Sequence, residues 1–334
     1  MSDLQIDATI PGLSSEAPEA AARAEELGFD AVWTSETDRD GLLPHPLVAE
    51  HTETIDMGTR ITLAFTRSPM VLAYNAWDLQ RFSEGRFTLG MGTQVKGHNE
   101  RRFSVKWGSP GPRLREVVKS LRHIWDVFAG RRERLAYDGD FYSFSLMTET
   151  FDPGPLDCPG PEIHIAGVNE YNIRLSGELC DGLCMHVFNT PEYAADVIAP
   201  LVEEGVERAE ADRDRSRADV VLSASPFVVT GETEAERAER RAEVRRQVAF
   251  YGSTRTYHDV LNHHGWKDVG QELHDLSTEQ RWDEMTGLVT DEMLAAFAIE
   301  APPDELLAEA RDLYGDVADR IVLPLDHGAA FMTD

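Results

Sequence analysis

A (β/α)8 TIM barrel with two insertions is the fold this sequence predicts, and three observations predict it. Short apolar segments of strand length alternate with amphipathic helical segments eight times along the chain. Polar and glycine-rich residues collect just after the strand segments, at the end where such barrels place their chemistry. A length of 334 residues fits one large α/β barrel or two ordinary domains, and eight strands alternating with helices, with two insertions, favour the single barrel.

The elements follow in order. Residues 4–10 alternate apolar and polar as a first strand, and 18–27 is an Ala/Glu-rich helix stopped by Gly28. Residues 31–34 form strand two, 35–46 its long exit loop, and 46–54 a short helix. Strand three is expected at 60–65. Ser68 then caps a helix whose first position is Pro69, where a missing N–H costs nothing. Strand four is expected at 86–90, a glycine-rich loop follows it, and a helix spans about 112–129.

Residues 131–161 break the rhythm. A hairpin turn at 137–141 and a run of prolines and glycines mark a first insertion. Strand five (162–166), a helix (170–179) and strand six (182–185) resume the alternation. Thr190 caps a helix running to about Glu210, the charged stretch from Asp212 to Asp219 connects onward, and residues 220–229 form strand seven. Residues 232–290 read as a second, helical insertion, before a helix at 303–314 and strand eight at 320–323. The whole is expected to be one domain.

Sixty acidic residues face thirty-two basic ones, a net charge of −28, and only Lys96, Lys106, Lys119 and Lys267 are lysines. Such a field repels nucleic acid and anionic lipid, which makes both poor partners. With 42% hydrophobic residues the chain is not of disordered composition, and an acidic, lysine-poor surface suggests a salt-loving host. The N-terminus carries no signal-type segment and no apolar run has membrane length, so a cytoplasmic protein is expected. Cys158, Cys180 and Cys184 show no metal spacing and are expected to be reduced and mostly buried; His263-His264 lacks a third ligand at metal spacing.

The run RFTLGMGTQ (86–94), the preceding S-P-x-x-x-A-x-x-A-x-D-L helix (68–79) and IHIAGVNEYNIRLSGELCDG (163–182) carry a resemblance. Their order and spacing resemble the luciferase-like monooxygenase superfamily, in particular the branch that uses the deazaflavin coenzyme F420. The resemblance implies an oxidoreductase that passes a hydride between F420 and a small organic substrate. An FMN-dependent two-component monooxygenase, or a flavin- or deazaflavin-binding protein without catalysis, is the alternative. It also implies a homodimer.

The same resemblance places a bulge, often with a non-prolyl cis peptide, at Ala64-Phe65, where it would back the cofactor ring. The cofactor phosphate would dock on Ala166-Gly167-Val168-Asn169, between a strand and a helix N-terminus whose free N–H groups and dipole favour an anion. Thr93 and Gln94 leave strand four toward the same mouth as candidates for the ring's polar edge, and Lys96 for a phosphate or carboxylate. His98 has the intrinsic pKa of a proton-transfer group. Glu36 stands where relatives have the acid of an Asp-His pair, with Thr37 replacing the histidine, and is the second candidate acid. No metal site is expected. A Schiff-base aldolase is disfavoured because no lysine lies on a strand, and a metal-dependent amidohydrolase because strand one has no His-x-His pair.

Overall fold

Eight parallel strands close a ring in the computed structural model, which describes residues 4–209 and 215–325. They are β1 (Gln5–Thr9), β2 (Ala31–Thr34), β3 (Asp56–Thr59), β4 (Phe87–Gly92), β5 (Glu162–Gly167), β6 (Gly182–Met185), β7 (Val221–Ala224) and β8 (Arg320–Pro324). Each pairs with its neighbours in sequence, and β1 pairs with β8 in the register Gln5↔Arg320 to close the barrel. The expected fold class is therefore the observed one.

Local chemistry explains where the helices begin. Ser68 accepts a bond from the Met70 amide at 3.2 Å and opens the helix Pro69–Phe82. Asn169 opens Glu170–Leu179 in the same way, and Thr233 with Glu236 forms a reciprocal capping box on Glu234–Gly252. The helix Pro110–Phe128 buries Leu114, Val117, Val118, Leu121, Ile124 and Phe128 along one stripe, and each such side chain contributes about 1.5–3 kcal/mol. The first insertion does hold a hairpin, Tyr137–Asp138 against Ser143–Phe144, and Glu116 accepts the amides of its turn.

Strand three lies earlier than expected. Asp56–Thr59 looks unlike a strand because it holds an aspartate and a glycine, yet Gly58 is required: a Cβ there would lie 2.5 Å from both Thr88 O and the Trp33 ring. Only Thr62–Leu63 of the expected segment pairs with β4, as a short continuation. Strand seven also ends early. Pro226 cannot donate to a ladder, and after it Phe227–Val229 leaves the barrel to pair with Ala298–Glu300 in a separate two-stranded sheet. The expected helix end at Glu210 and the connection from Asp212 to Asp214 lie outside the described residues. Among the described residues no helix is long and apolar enough to cross a membrane.

Candidate active site

The C-terminal rim of the barrel is built around the backbone that leaves β3. The Arg60–Ile61 peptide is cis, which corrects the expected position at Ala64-Phe65. Donors and acceptors from the exit of β2 fasten it: the Arg60 amide donates to Thr34 O at 2.6 Å, Ser35 Oγ donates to Arg60 O at 2.7 Å, and the Glu36 amide donates to Ile61 O at 3.1 Å. On the other side β4 must come very close. A Cβ on Gly90 would lie 1.9 Å from Thr59 O, and one on Gly92 2.7 Å from Ile61 Cδ1. The glycines of the LGMG run are thus explained by this turn of backbone. Ala64 and Phe65 are buried beneath it, with the Arg113 guanidinium 4.4 Å from the Phe65 ring centre.

Glu36 is committed to the same turn. Its carboxylate accepts from the Leu63 amide at 2.9 Å, from Arg67 at 2.8 Å and from the Thr62 hydroxyl, and Arg67 also pairs with Asp40. Thr37 is exposed. Glu36 therefore holds the backbone on either side of Thr62 through its amide and its carboxylate.

Arg60 itself was not singled out by sequence, because an arginine at a strand end reads as a surface ion pair. Its side chain instead crosses the barrel, donating to Ser223 Oγ at 2.8 Å and to the carbonyls of Met185 and Ser223 at 3.0 Å each. The floor below is polar. Arg320 reaches both oxygens of the fully buried Asp7 at 2.9 Å, and the Trp33 indole donates to the same carboxylate at 2.8 Å. His164 of β5 lies beside Cys184 of β6. Burial opposes a charge on His164, but bonding to Cys184 and Glu162 outweighs it and raises its pKa to about 9. Burial likewise opposes a Cys184 thiolate, and Arg60 with His164 overcomes this and lowers it. Cys158, Cys180 and Cys184 are all free, the last two buried.

At the exit of β5, Ala166 and Val168 are half-buried and Gly167 is buried. A Cβ on Gly167 would meet Leu183 Cδ1 at 2.7 Å and the Ile173 amide at 3.3 Å, so this glycine lets the next helix dock closely. Asn169 Oδ1 accepts the Asn172 amide at 3.0 Å and Asn169 O the Ile173 amide at 3.1 Å. Among the described residues the Glu170 and Tyr171 amides at the start of that helix have no protein acceptor, which suits them to an anion.

Past β4, Thr93 is half-buried and its carbonyl accepts from Asn99 at 2.9 Å. Gln94 has a positive φ of 53° and folds its carboxamide oxygen onto the Val95 amide at 2.8 Å. Lys96 and His98 are exposed on the short helix Lys96–Arg101.

The wall across from β3 holds residues that sequence reading missed. His186 directly follows β6, stacks on Tyr257 with ring centres 4.5 Å apart, and meets the edge of Tyr251 at 5.0 Å. Its Nε2 lies 3.1 Å from the Tyr257 hydroxyl, while Nδ1 accepts the Phe188 amide at 3.0 Å. Burial and then Arg60 lower its pKa to about 4, so it is neutral near pH 7. The pairing joins residues 71 apart, which no local spacing could show. Beside it, the helix Glu234–Gly252 roofs a cavity of about 410 Å3 lined by Thr9, Ser225, Phe227, Gln247 and Pro324.

Away from the rim, the fold brings Glu192 and Asp196 beside His263, with possible ligand atoms within 4.8 Å of one another, so sequence spacing understated this cluster. The two carboxylates are exposed and stand 3.6 and 3.4 Å from His263 Nε2, as surface ion pairs do.

Comparison with known proteins agrees with this geometry. The luciferase-like monooxygenase family model matches residues 8–320. An uncharacterized protein of Mycobacterium tuberculosis is 42% identical over 322 residues, covering 96% of this chain and 93% of the relative. The 5,10-methylenetetrahydromethanopterin reductase of Archaeoglobus fulgidus is 28% identical over 299 residues, covering 87% and 83%. The coenzyme F420 dependent tetrahydromethanopterin reductase of Methanopyrus kandleri shares the fold, with a TM-score of 0.77 at 19% identity over 99% of this chain and 97% of that one. By fold, by the glycine-backed rim and by sequence, this chain belongs to the luciferase-like monooxygenase family.

Proposed function

We propose that the chain is an oxidoreductase that binds coenzyme F420 at the C-terminal mouth and passes a hydride between it and a small organic substrate. The observation that carries this reading is the Arg60–Ile61 backbone, held from one side by Thr34, Ser35 and Glu36 and backed from the other by Gly90 and Gly92. The family resemblance implies a cofactor ring backed by the backbone that leaves strand three, and oriented donors such as the Glu170 and Tyr171 amides favour a phosphate tail, more so in a protein of charge −28. Bound there, the deazaflavin would supply the hydride chemistry. Glu36 and Arg67 would hold the rim rigid, Thr93 would face the ring edge, and the helices of residues 232–290 would exclude water.

The test is a fluorescence titration of the purified protein with F420 and, in parallel, with FMN. Saturable F420 binding, tighter than FMN, supports the reading; binding of FMN alone would favour the two-component monooxygenase, and binding of neither removes both. We also propose a homodimer, with Leu43, Leu47, Val71 and Phe82 as the exposed apolar face that a second copy covers. Sedimentation of Phe82→Glu against the native protein tests it: a shift from dimer to monomer is expected, and an unchanged mass contradicts it.

A further inference from the structure

Hydride transfer to a polar double bond leaves a heteroatom that needs a proton, and the two acids suggested by sequence are poorly placed to give it. Glu36 has its carboxylate bonded to Thr62, Leu63 and Arg67, and His98 is exposed on an outer helix. The opposite wall offers a better group.

Hydrogen-bond bookkeeping fixes its state. The Phe188 amide donates to His186 Nδ1, so Nδ1 carries a lone pair and the proton of the neutral ring sits on Nε2. Nε2–H then donates to the Tyr257 oxygen at 3.1 Å. The phenol's own proton is left over, with no acceptor among the described residues.

We infer that Tyr257 is the proton donor to the substrate's reacting heteroatom, and that His186 is the residue that positions it. This rests on the function proposed above, and it adds a substrate class: carbonyl or imine compounds that are reduced. The hydride from the reduced cofactor forms the new C–H bond, and the π pair of the C=O or C=N bond moves to the heteroatom and takes the Tyr257 proton. The substrate is reduced and the cofactor oxidised. The phenolate left on Tyr257 is stabilised by His186 Nε2–H, and water returns its proton.

The charged and titratable groups facing the pair are Arg60 from the exit of β3 and Tyr251 from the helix Glu234–Gly252. Burial, then Tyr251, raises the Tyr257 pKa to about 12, which keeps the proton in place at neutral pH. Burial and Arg60 keep His186 uncharged, and a neutral ring is what leaves Nδ1 able to accept.

Two measurements decide the matter. In the ligand-free protein, nitrogen-15 NMR of the histidines should show His186 neutral at pH 6 with its proton on Nε2; a proton on Nδ1, or a charged ring at that pH, overturns the inference. In the loaded enzyme, oxidation of reduced F420 is followed with a panel of ketones, aldehydes and imines. On the first compound that the native protein reduces, Tyr257→Phe should lower kcat roughly 100-fold with KM within about threefold. His186→Gln, which can still donate, should retain more activity than His186→Phe. An unchanged kcat in Tyr257→Phe overturns the inference, as does native protein that binds F420 but reduces no member of the panel. Native protein that fails to bind F420 defeats the function proposed above instead, while the NMR result still decides the state of His186.

Discussion

Arg60 ties one side of the barrel to the other. Its backbone belongs to the turn that leaves β3, while its guanidinium is bonded to Met185 and Ser223 on the far side. Below it, Asp7 and Arg320 form a second charged pair whose partners need each other. Asp7→Asn keeps the shape but removes the carboxylate that the 8%-exposed Arg320 bonds at 2.9 Å, leaving Asp56 at 3.7 Å. The expected loss is about 3 kcal/mol in urea unfolding, and a loss below about 1 kcal/mol would show that the pair is dispensable.

Two histidines whose pKa is depressed, buried His45 and half-buried His186, give a pH signature. Burial, chiefly, holds His45 near pKa 4, and burial with Arg60 does the same for His186, against an ordinary value of 6.5. Their folded pKa values are depressed, so between pH 6.5 and 4 the unfolded chain binds more protons than the folded one. Stability from these groups is present above pH 6.5 and is lost as pH falls, by up to about 1.4 kcal/mol per pH unit for each histidine. Across urea melts at pH 7, 6 and 5, His186→Gln should flatten the slope of stability against pH by up to about 1.4 kcal/mol per pH unit. A slope unchanged by the substitution would contradict the assignment.

At the scale of elements, the turn after β3 depends on what β4 lacks. Gly90→Ala would place a methyl carbon 1.9 Å from Thr59 O, so the two strands must separate. The variant should lose several kcal/mol of stability and bind F420 at least tenfold more weakly; native binding by a folded variant would show that the close approach is unimportant. Much of this level was legible in the sequence. Ala31–Thr34, Gly182–Met185 and Glu170–Leu179 lie where expected, since an unbroken apolar run or an asparagine cap marks each. Asp56–Thr59 was not legible, because its glycine answers to Trp33 and β4 and its aspartate to Arg320, not to strand propensity. The helix proposed to hold the phosphate was readable as a strand and a glycine followed by a helix N-terminus. The role of Gly167 was not, since only the docked structure shows Leu183 filling its side-chain position.

For the molecule as a whole, the barrel and the family were readable because a repeated strand–helix rhythm is a property of the entire chain. The wall formed by His186 and Tyr257 was hidden, since closing the barrel beneath the second insertion is what brings them together. A charge of −28 means that like charges repel across the folded surface, and salt screens that repulsion. The melting temperature should rise as KCl is increased from about 0.1 to 2 M, whereas a fall would argue against adaptation to salt.

The account turns on where a deazaflavin sits, and a crystal structure of the protein with F420 tests that most directly. The ring should lie against the Arg60–Ile61 peptide, with its phosphate on the Glu170 and Tyr171 amides and Tyr257 on the far wall. A ring bound elsewhere, or a phosphate held away from that helix, would contradict the account.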